Sequence, residues 1–445
     1  MISGRVRAAG AILGFVLGVF PAMALAQTEP MLPVPLVPVE QNVPTDFPLE
    51  QGRTVVDRPR PEVSPLGIQA GQFFIYPHAE LDEAYSDNIF ATNLHAKNDF
   101  ITVLTPGADV RSNFGTNALN LSAGAVITQY LSHSALSTRD PYLRADGRLD
   151  IDNIHDLHGA LNFARTHEDP GSPDVTGAAV QPVHVTTYGG AAGFEQTKLR
   201  FLYSADVSAQ RSEYESVPGT GGVTIPQSDR DDWAYELALR GGYEFQPGYQ
   251  VFLRGAVNLR DYDHGAGNGS PIRSSYGYRA DAGVRIDLTG TIFVEAFAGW
   301  FDQIYESALL GSISGPDIGV NLVWNATELT SVSFKVERNV QDVPTSVVGA
   351  ALVPGYTHST VAARVDHELL RNLLLNGQAT FVNDDFQGAN RTDNDYLLGA
   401  GVKYLVNRYF YLGADYTFEH RDSSGTQATN QFTRNIFMLR ASTQF

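Results

Sequence analysis

The chain has 445 residues, with 49 Asp plus Glu against 31 Lys plus Arg and a formal net charge of −18. A surface that acidic repels phosphate backbones, so nucleic acid is not expected as a partner. Cysteine is absent, which excludes disulfides, thiolate metal sites, thiol nucleophiles and a lipid-modified N-terminal cysteine.

Residues 1–26 read as a secretory signal peptide. Arg5 and Arg7 open it, an apolar stretch runs from Ala8 to Phe20, and Ala24-Leu25-Ala26 places small residues before Gln27. The apolar stretch falls short of the roughly 20 residues that a spanning helix needs. No later run approaches that length. This fits a membrane barrel, in which lipid-facing and lumen-facing residues alternate and average to near neutrality.

Residues 27–70 are punctuated by Pro30, Pro33, Pro35, Pro38, Pro44, Pro48, Pro59, Pro61 and Pro65. Proline has no N–H for a ladder and favours extended polyproline. The stretch reads as a mostly disordered periplasmic tether without a core, and a partner-binding segment is the alternative.

Over residues 71–445 the pattern changes to period two. The eighth predicted strand puts Trp233, Tyr235, Leu237, Leu239, Gly241, Tyr243 and Phe245 on one face and Ala234, Glu236, Ala238, Arg240, Gly242 and Glu244 on the other. The tenth sets Tyr276, Tyr278 and Val284 against Arg279, Asp281, Arg285 and Asp287. The thirteenth sets Val332, Phe334 and Val336 against Ser333, Lys335 and Glu337. The seventeenth sets Phe410, Leu412, Tyr416 and Phe418 against Asp415 and Glu419.

Short breaks at Gln246-Pro247-Gly248, Leu288-Thr289-Gly290, Asn325-Ala326-Thr327 and Val406-Asn407-Arg408 alternate with long polar connections, such as 216–229, 264–273, 342–355 and 422–431. Alternating short and long connections mark a membrane barrel with tight periplasmic turns and long outer loops. The predicted fold is all-β: a transmembrane antiparallel up-and-down β-barrel of about eighteen strands. Sixteen is the alternative count, because segments near Pro106 and Gly189-Gly190 alternate poorly.

In the eighth strand, Tyr235 to Tyr243 converts to roughly 21 Å of height and Trp233 to Phe245 to roughly 31 Å, at ~3.4 Å per residue and ~40° tilt. These bracket the ~25 Å apolar band of such barrels. Trp233, Tyr235, Tyr243, Phe245, Tyr276, Phe418 and Phe437 are therefore expected to anchor the wall at the membrane interfaces, with outer-membrane lipids as partners. The last strand carries Phe437, Leu439, Ala441, Thr443 and Phe445 on one face. A terminal aromatic such as Phe445 resembles the signal that barrel-assembly machinery reads.

Charges on the opposite faces of the eighth to tenth strands are candidates for lining the lumen: Glu236, Arg240, Glu244, Arg254, Arg260, Arg279, Asp281, Arg285 and Asp287. They can form a track for an anionic or hydroxyl-rich solute or ion pairs between neighbouring strands. The near balance of signs favours the ion pairs. His155 and His158, three apart around a turn at Asp156, fall on opposite faces and suit no shared metal. No cofactor motif or catalytic constellation stands out, and an enzyme is not expected.

Tyr85-Ser86-Asp87-Asn88-Ile89-Phe90, Asp99-Phe100-Ile101 and Thr105-Pro106-Gly107-Ala108 resemble the outer-membrane family called beta-barrel porin type 2. The resemblance covers about 72–445, with its specific residues before 110. It implies a barrel in the outer membrane of a Gram-negative bacterium, and a link to exopolysaccharide or capsule production. On physical grounds Asp87-Asn88 suits the mouth of the first outer loop, and Pro106 suits a bulge or bend in the second strand. The leading functional expectation is a porin-like pore or conduit, extended by the resemblance to exopolysaccharide export with export components as partners. The alternative is a structural or interaction protein with a closed barrel and a partner-binding N-terminal tether.

Overall fold

A computed structural model describes residues 54–58, 60–169, 179–196, 199–265, 271–288, 290–343, 347–348, 351–428 and 431–445. The proposed signal peptide and the tether up to residue 53 lie outside them. Eighteen long strands make up the molecule. The first six are β1 (Phe73–Ser86), β2 (Asp99–Ser112), β3 (Ala118–Tyr130), β4 (Thr138–Asp150), β5 (His155–His167) and β6 (His184–Gln196). Next come β7 (Phe201–Tyr214), β8 (Asp232–Gln246), β9 (Tyr249–Tyr262), β10 (Ser275–Leu288), β11 (Ile292–Tyr305) and β12 (Ile313–Thr327). The chain ends with β13 (Thr330–Asp342), β14 (Gly355–Leu370), β15 (Leu373–Phe386), β16 (Thr392–Asn407), β17 (Phe410–Ser424) and β18 (Phe432–Gln444).

Each strand pairs antiparallel with the next, and β1 pairs with β18 from His78↔Gln444 to Ser86↔Ile436. The sheet therefore closes into a barrel of eighteen strands. Closure gives every long strand a neighbour on both sides and leaves no free edge strand, the condition for a sheet in lipid. Alternation of side chains follows along the wall: on β8 and β9, Leu239 and Leu253 are 53% and 68% exposed outward, while Ala238 and Phe252 on the concave side are buried. Without water outside, that exposed apolar face is a lipid-contacting surface.

Connections alternate in length as the sequence implied. Pro247-Gly248 turns β8 into β9, with Gly248 at φ 78, a left-handed conformation that costs glycine nothing. Three turns lie elsewhere than the spacing suggested; one is Val406-Asn407-Arg408, whose first two residues are still in β16 and where the chain reverses at 408–409. Asn325-Ala326-Thr327 is still part of β12, where the register shifts between Trp324 and Thr327, and the chain reverses at 328–329. A bulge adds residues to a strand, so a polar triplet there imitates a turn. Likewise the turn beside His155 falls at 151–154, ahead of the histidine, and Asp156 lies in β5.

Four prolines sit inside long strands, each next to a break in one ladder. The β2–β3 rungs skip from Leu104↔Ile127 to Gly107↔Gly124 around Pro106. The β4–β5 ladder stops at Tyr142↔Ala164, below Pro141. The β12–β13 ladder stops at Gly319↔Glu337, near Pro316, and the β1–β18 ladder starts just after Pro77. A residue without an N–H cannot donate a rung and is tolerated only where pairing on that side ends. At β12–β13 the consequence is large. The outer half of β13 stays paired with β14 up to Asp342↔Gly355 but leaves β12, and Val340 packs against Phe301, Tyr305, Leu310 and Ile313.

The segment expected as a coreless tether is, over its described part, docked. Val55 is fully buried, and its N–H donates to Ser331 Oγ at 2.8 Å. Arg60, 5% exposed, donates to the Val55 carbonyl at 2.7 Å and pairs with Glu368 at 2.7 Å. Gln444 donates to the Val63 carbonyl at 3.4 Å, and Ile68–Ala70 pairs with Phe73–Ile75 of β1. Residues 54–58 and 60–70 thus form a strap along the inside of the short-turn end, from β13 to β1. Proline density carried no information about the turns at 54–57 and 60–64 or about the one arginine that anchors the segment.

The first long connection, 87–98, begins with the quoted Asp87-Asn88. Asp87 accepts from the Asn435 backbone N–H at 2.7 Å and from its side-chain amide at 2.6 Å. Asn88 donates to the Thr92 and Thr433 carbonyls. Ile89 joins Ala84, Ile101, Val103, Leu136, Ile436 and Met438 in an apolar cluster. The motif therefore rivets the first strand to the last at the seam where the barrel closes.

Candidate functional site

The concave face of β8–β12 is laid out rung by rung. In one rung, successive partners across the five strands are Gly242, Phe252, Gly283, Phe297 and Gly319. The rings need the glycines: a Cβ at Gly283 would collide with Phe252, and one at Gly319 with Phe297. Each ring lies flat on the bare backbone of the next strand. In the rung above, the partners are Arg240, Arg254, Asp281, Gly299 and Asp317. The Arg240 guanidinium sits 3.9 Å from the centroid of Phe252, and Arg254 sits 4.0 Å from that of Phe297. Charges of one rung are thereby held against the rings of the next.

These charges pair across the curve of the wall. Arg240 meets Glu295 at 3.0 Å, although three ladders separate β8 from β11. That is about 14 Å along a flat sheet at ~4.8 Å per strand, so such a contact can form only on the inside of a curved wall. Arg254 pairs with Asp281 at 2.7 Å and lies 3.8 Å from Asp317. Arg279 pairs with Glu236 at 3.1 Å, and Arg285 approaches Glu295 at 3.8 Å. Arg260 donates to the Val340 carbonyl of the inturned β13 at 3.4 Å.

Of the nine charges singled out from sequence, seven belong to this patch. The other two lie at the short-turn end: Glu244 accepts from the Gly248 N–H and Asp287 from the Gly290 N–H, each at 2.9 Å. They fasten turns. Glu295 and Asp317 were missed, yet the same alternation carried into β11 and β12 puts both on the concave side. Asn258 and Gln303, in the rung Glu236, Asn258, Gly277, Gln303, gave no charge signal and were missed too.

On the convex face most of the aromatic candidates fall at two heights. Trp233 stacks on Tyr235 at 5.8 Å toward the long loops, and Tyr276 lies at the same end, whereas Phe437 meets Tyr416 at 4.7 Å near the middle of β17 and β18, beside Phe418. Tyr243 meets Phe201 at 4.9 Å, and Phe245 meets Tyr249 at 6.1 Å, toward the short turns. Phe445, 53% exposed, packs on Tyr409 at 5.5 Å at that end.

Both mouths carry ties between chain-distant segments. At the long-loop end, Glu168 and Asp169 leave β5 and reach inward. Glu168 pairs with Arg230 of the β7–β8 connection, and Asp169 pairs with Arg434 of β18 at 3.2 Å. Arg434 also holds Glu419 at 2.6 Å. Arg273 of the β9–β10 connection donates to the Asp229 carbonyl at 3.0 Å and to that of Val343. Asp263 of the same connection lies 2.6 Å from the Arg211 guanidinium of β7, which holds that carboxyl below the usual carboxylate range. On the β17–β18–β1 wall, Arg440 pairs with Glu80 at 3.1 Å and Asp82 at 2.9 Å.

His155 is occupied structurally: Nδ1 lies 2.9 Å from Asp152, Nε2 lies 3.0 Å from the Tyr203 hydroxyl, and the ring stacks on Phe194. Among the described residues, no group of three His, Asp or Glu side chains is placed to hold a metal ion.

Comparison with known proteins places this architecture. No curated protein matches the chain. Solved structures of similar shape include OccK2 (OpdF) of Pseudomonas aeruginosa, in complex with glucuronate, at 10% identity and a TM-score of 0.45, covering 84% of this chain and 98% of that one. OccAB3 of Acinetobacter baumannii is similar at 10% identity and 0.44, covering 84% and 100%. OpdO of Pseudomonas aeruginosa is similar at 11% and 0.43, covering 84% and 98%. The family model of beta-barrel porin 2 matches residues 60–445, nearly the whole described chain. A closed barrel of eighteen strands with that match belongs to the beta-barrel porin 2 family, and the protein is a porin-like barrel of the outer membrane.

Proposed function

We propose that the protein is a passive channel for small polar solutes across the outer membrane. The observation that carries this reading is the glycine-padded wall of β8–β12. Its charges are paired and its rings lie flat, so polar surface faces the enclosed space while little bulk projects into it. An eighteen-stranded wall is wide enough to enclose water beyond its own side chains. Export of a long exopolysaccharide draws no support from this wall. The ties from Glu168 to Arg230 and from Asp169 to Arg434 cross the outer mouth, where a polymer would have to leave. Those ties favour the second reading instead, a barrel closed by its loops that serves as a structural or docking protein.

Swelling of proteoliposomes in isotonic solutes of increasing size separates the two. A channel gives swelling that is fast for a pentose and falls steeply for a trisaccharide. Swelling no faster than in protein-free liposomes, from protein with normal strand content, would overturn the channel and favour the closed barrel.

A further inference from the structure

We infer that the inturned outer half of β13 creates a binding site in the wall for a small neutral polyhydroxylated solute, a single sugar or polyol. The inference rests on the channel reading and names the solute class that the channel would hold on its way through. Because β13 leaves β12 above Gly319↔Glu337, a cleft of about 130 Å³ remains between residues 337–341 and the concave wall of β8–β12. Its floor is made by the side chains of Asn258 and Gln303, which lie over Gly277. The neighbours of Gly277 in the rung are Asn258 and Gln303, and their amides converge over the bare backbone: a Cβ there would lie 2.8 Å from Asn258 Nδ2 and overlap Gln303 Oε1. Phe301 contributes an apolar surface one rung below.

Two acceptors in the cleft lack hydrogen-bond donors: Asn258 Oδ1, and Oδ2 of Asp317, which is only 4% exposed. Arg338 Nε, also in the lining, lacks an acceptor. Buried polar atoms left unmatched are costly, and a bound molecule that both donates and accepts relieves the cost. The ionic side chains of the lining nearly balance, Arg260, Arg279 and Arg338 against Glu236, Asp302, Asp317 and Glu337, with Arg279 and Glu236 paired at 3.1 Å, so the cleft offers an ion little net counter-charge. Asn258, Gln303, Asn339 and Gln341 line it as carboxamides. A carboxamide donates and accepts at once, which is what a hydroxyl requires of its partner.

The test is titration calorimetry on the full chain in detergent, with D-glucose, sodium acetate and choline chloride as neutral, anionic and cationic probes. Glucose is expected to give saturable heat. Gly277→Ala displaces the Asn258 and Gln303 amides without removing a polar group, and Gln303→Leu removes one amide. Each is expected to weaken glucose binding by about tenfold or more, the equivalent of one or two lost hydrogen bonds. Retention of the heat-modifiable gel shift confirms that each variant is folded. Absence of saturable heat with glucose, saturation with acetate or choline alone, or unchanged affinity in both variants would overturn the site. Conductance of the wild-type chain recorded in parallel keeps the two readings apart. Conduction without glucose binding discards the site alone, whereas binding without conduction discards the channel.

Discussion

The two ends of the barrel are guarded by different means. At the long-loop end, chain-distant connections lean inward on small apolar clusters of their own, such as Val343, Val353, Tyr356 and Phe386, and are tied by Asp169–Arg434 and Glu168–Arg230. At the short-turn end, turns fasten themselves through Glu244 and Asp287, and one strap, 54–58 with 60–70, runs along part of the inner wall. In both places a buried arginine holds a segment that is not part of the wall: Arg434 at one end, Arg60 at the other. The wall is a container set by ladder closure. What sits in its mouths is set by a few charge contacts, and each can be broken while the container stays whole.

Arg434→Ala should be the most damaging change, because it strands the carboxylates of Glu419 and Asp169 in a buried place. Breaking one partner of a buried pair costs about 3–5 kcal/mol, to be read as an earlier heat-modifiable gel shift. A shift within a degree or two of wild type would mean that water already reaches the pair. Arg60→Ala strands only Glu368 and frees a segment outside the ladder. It should raise single-channel conductance and expose residues 54–63 to protease, with much less effect on the gel shift than Arg434→Ala. Equal effects on the gel shift would erase the distinction between mouth and wall.

Smaller changes probe the wall. Gly319→Val pushes against the ring of Phe297, and overpacking of this kind costs about 1–3 kcal/mol; conductance should fall as the ring lifts inward. Asp87→Ala removes both bonds to Asn435 at the seam, worth about 1–3 kcal/mol, and should speed hydrogen exchange at β1 and β18 before other strands. The least effect is expected from pH. Asp263 is depressed in the folded chain by Arg211, so its anchoring of the β9–β10 connection is complete above the ordinary carboxylate range. Anchoring fades as pH falls through the lowered value. Protease nicking within 263–274 should therefore increase only at strongly acid pH, and Asp263→Asn should be nicked readily at every pH.

Much of the wall was legible because period two survives averaging. β8, β10, β13 and β17 fall where the alternation put them, and β2 and β6 form as full strands despite weak alternation around Pro106 and Gly189-Gly190. What alternation cannot supply is register. Glu295 and Asp317 carry the correct parity, but nothing in the chain says that Arg240 reaches across three ladders to Glu295. Glycines read as neutral until a neighbouring strand lays a phenylalanine on them. Pro316 carries no such signal on its own; in the fold it lies near the point where β13 parts from β12 and the cleft opens. The mouths were least legible, since Glu168, Asp169 and Arg60 act through partners far along the chain.

The absence of cysteine permits a direct test of the division between lipid and enclosed water. Leu253→Cys and Arg254→Cys, neighbours on β9, are reconstituted in vesicles and exposed to a charged, water-soluble thiol reagent. Rapid labelling at position 254 with none at 253 is the predicted result. Equal labelling at both positions, or the reverse preference, would contradict it.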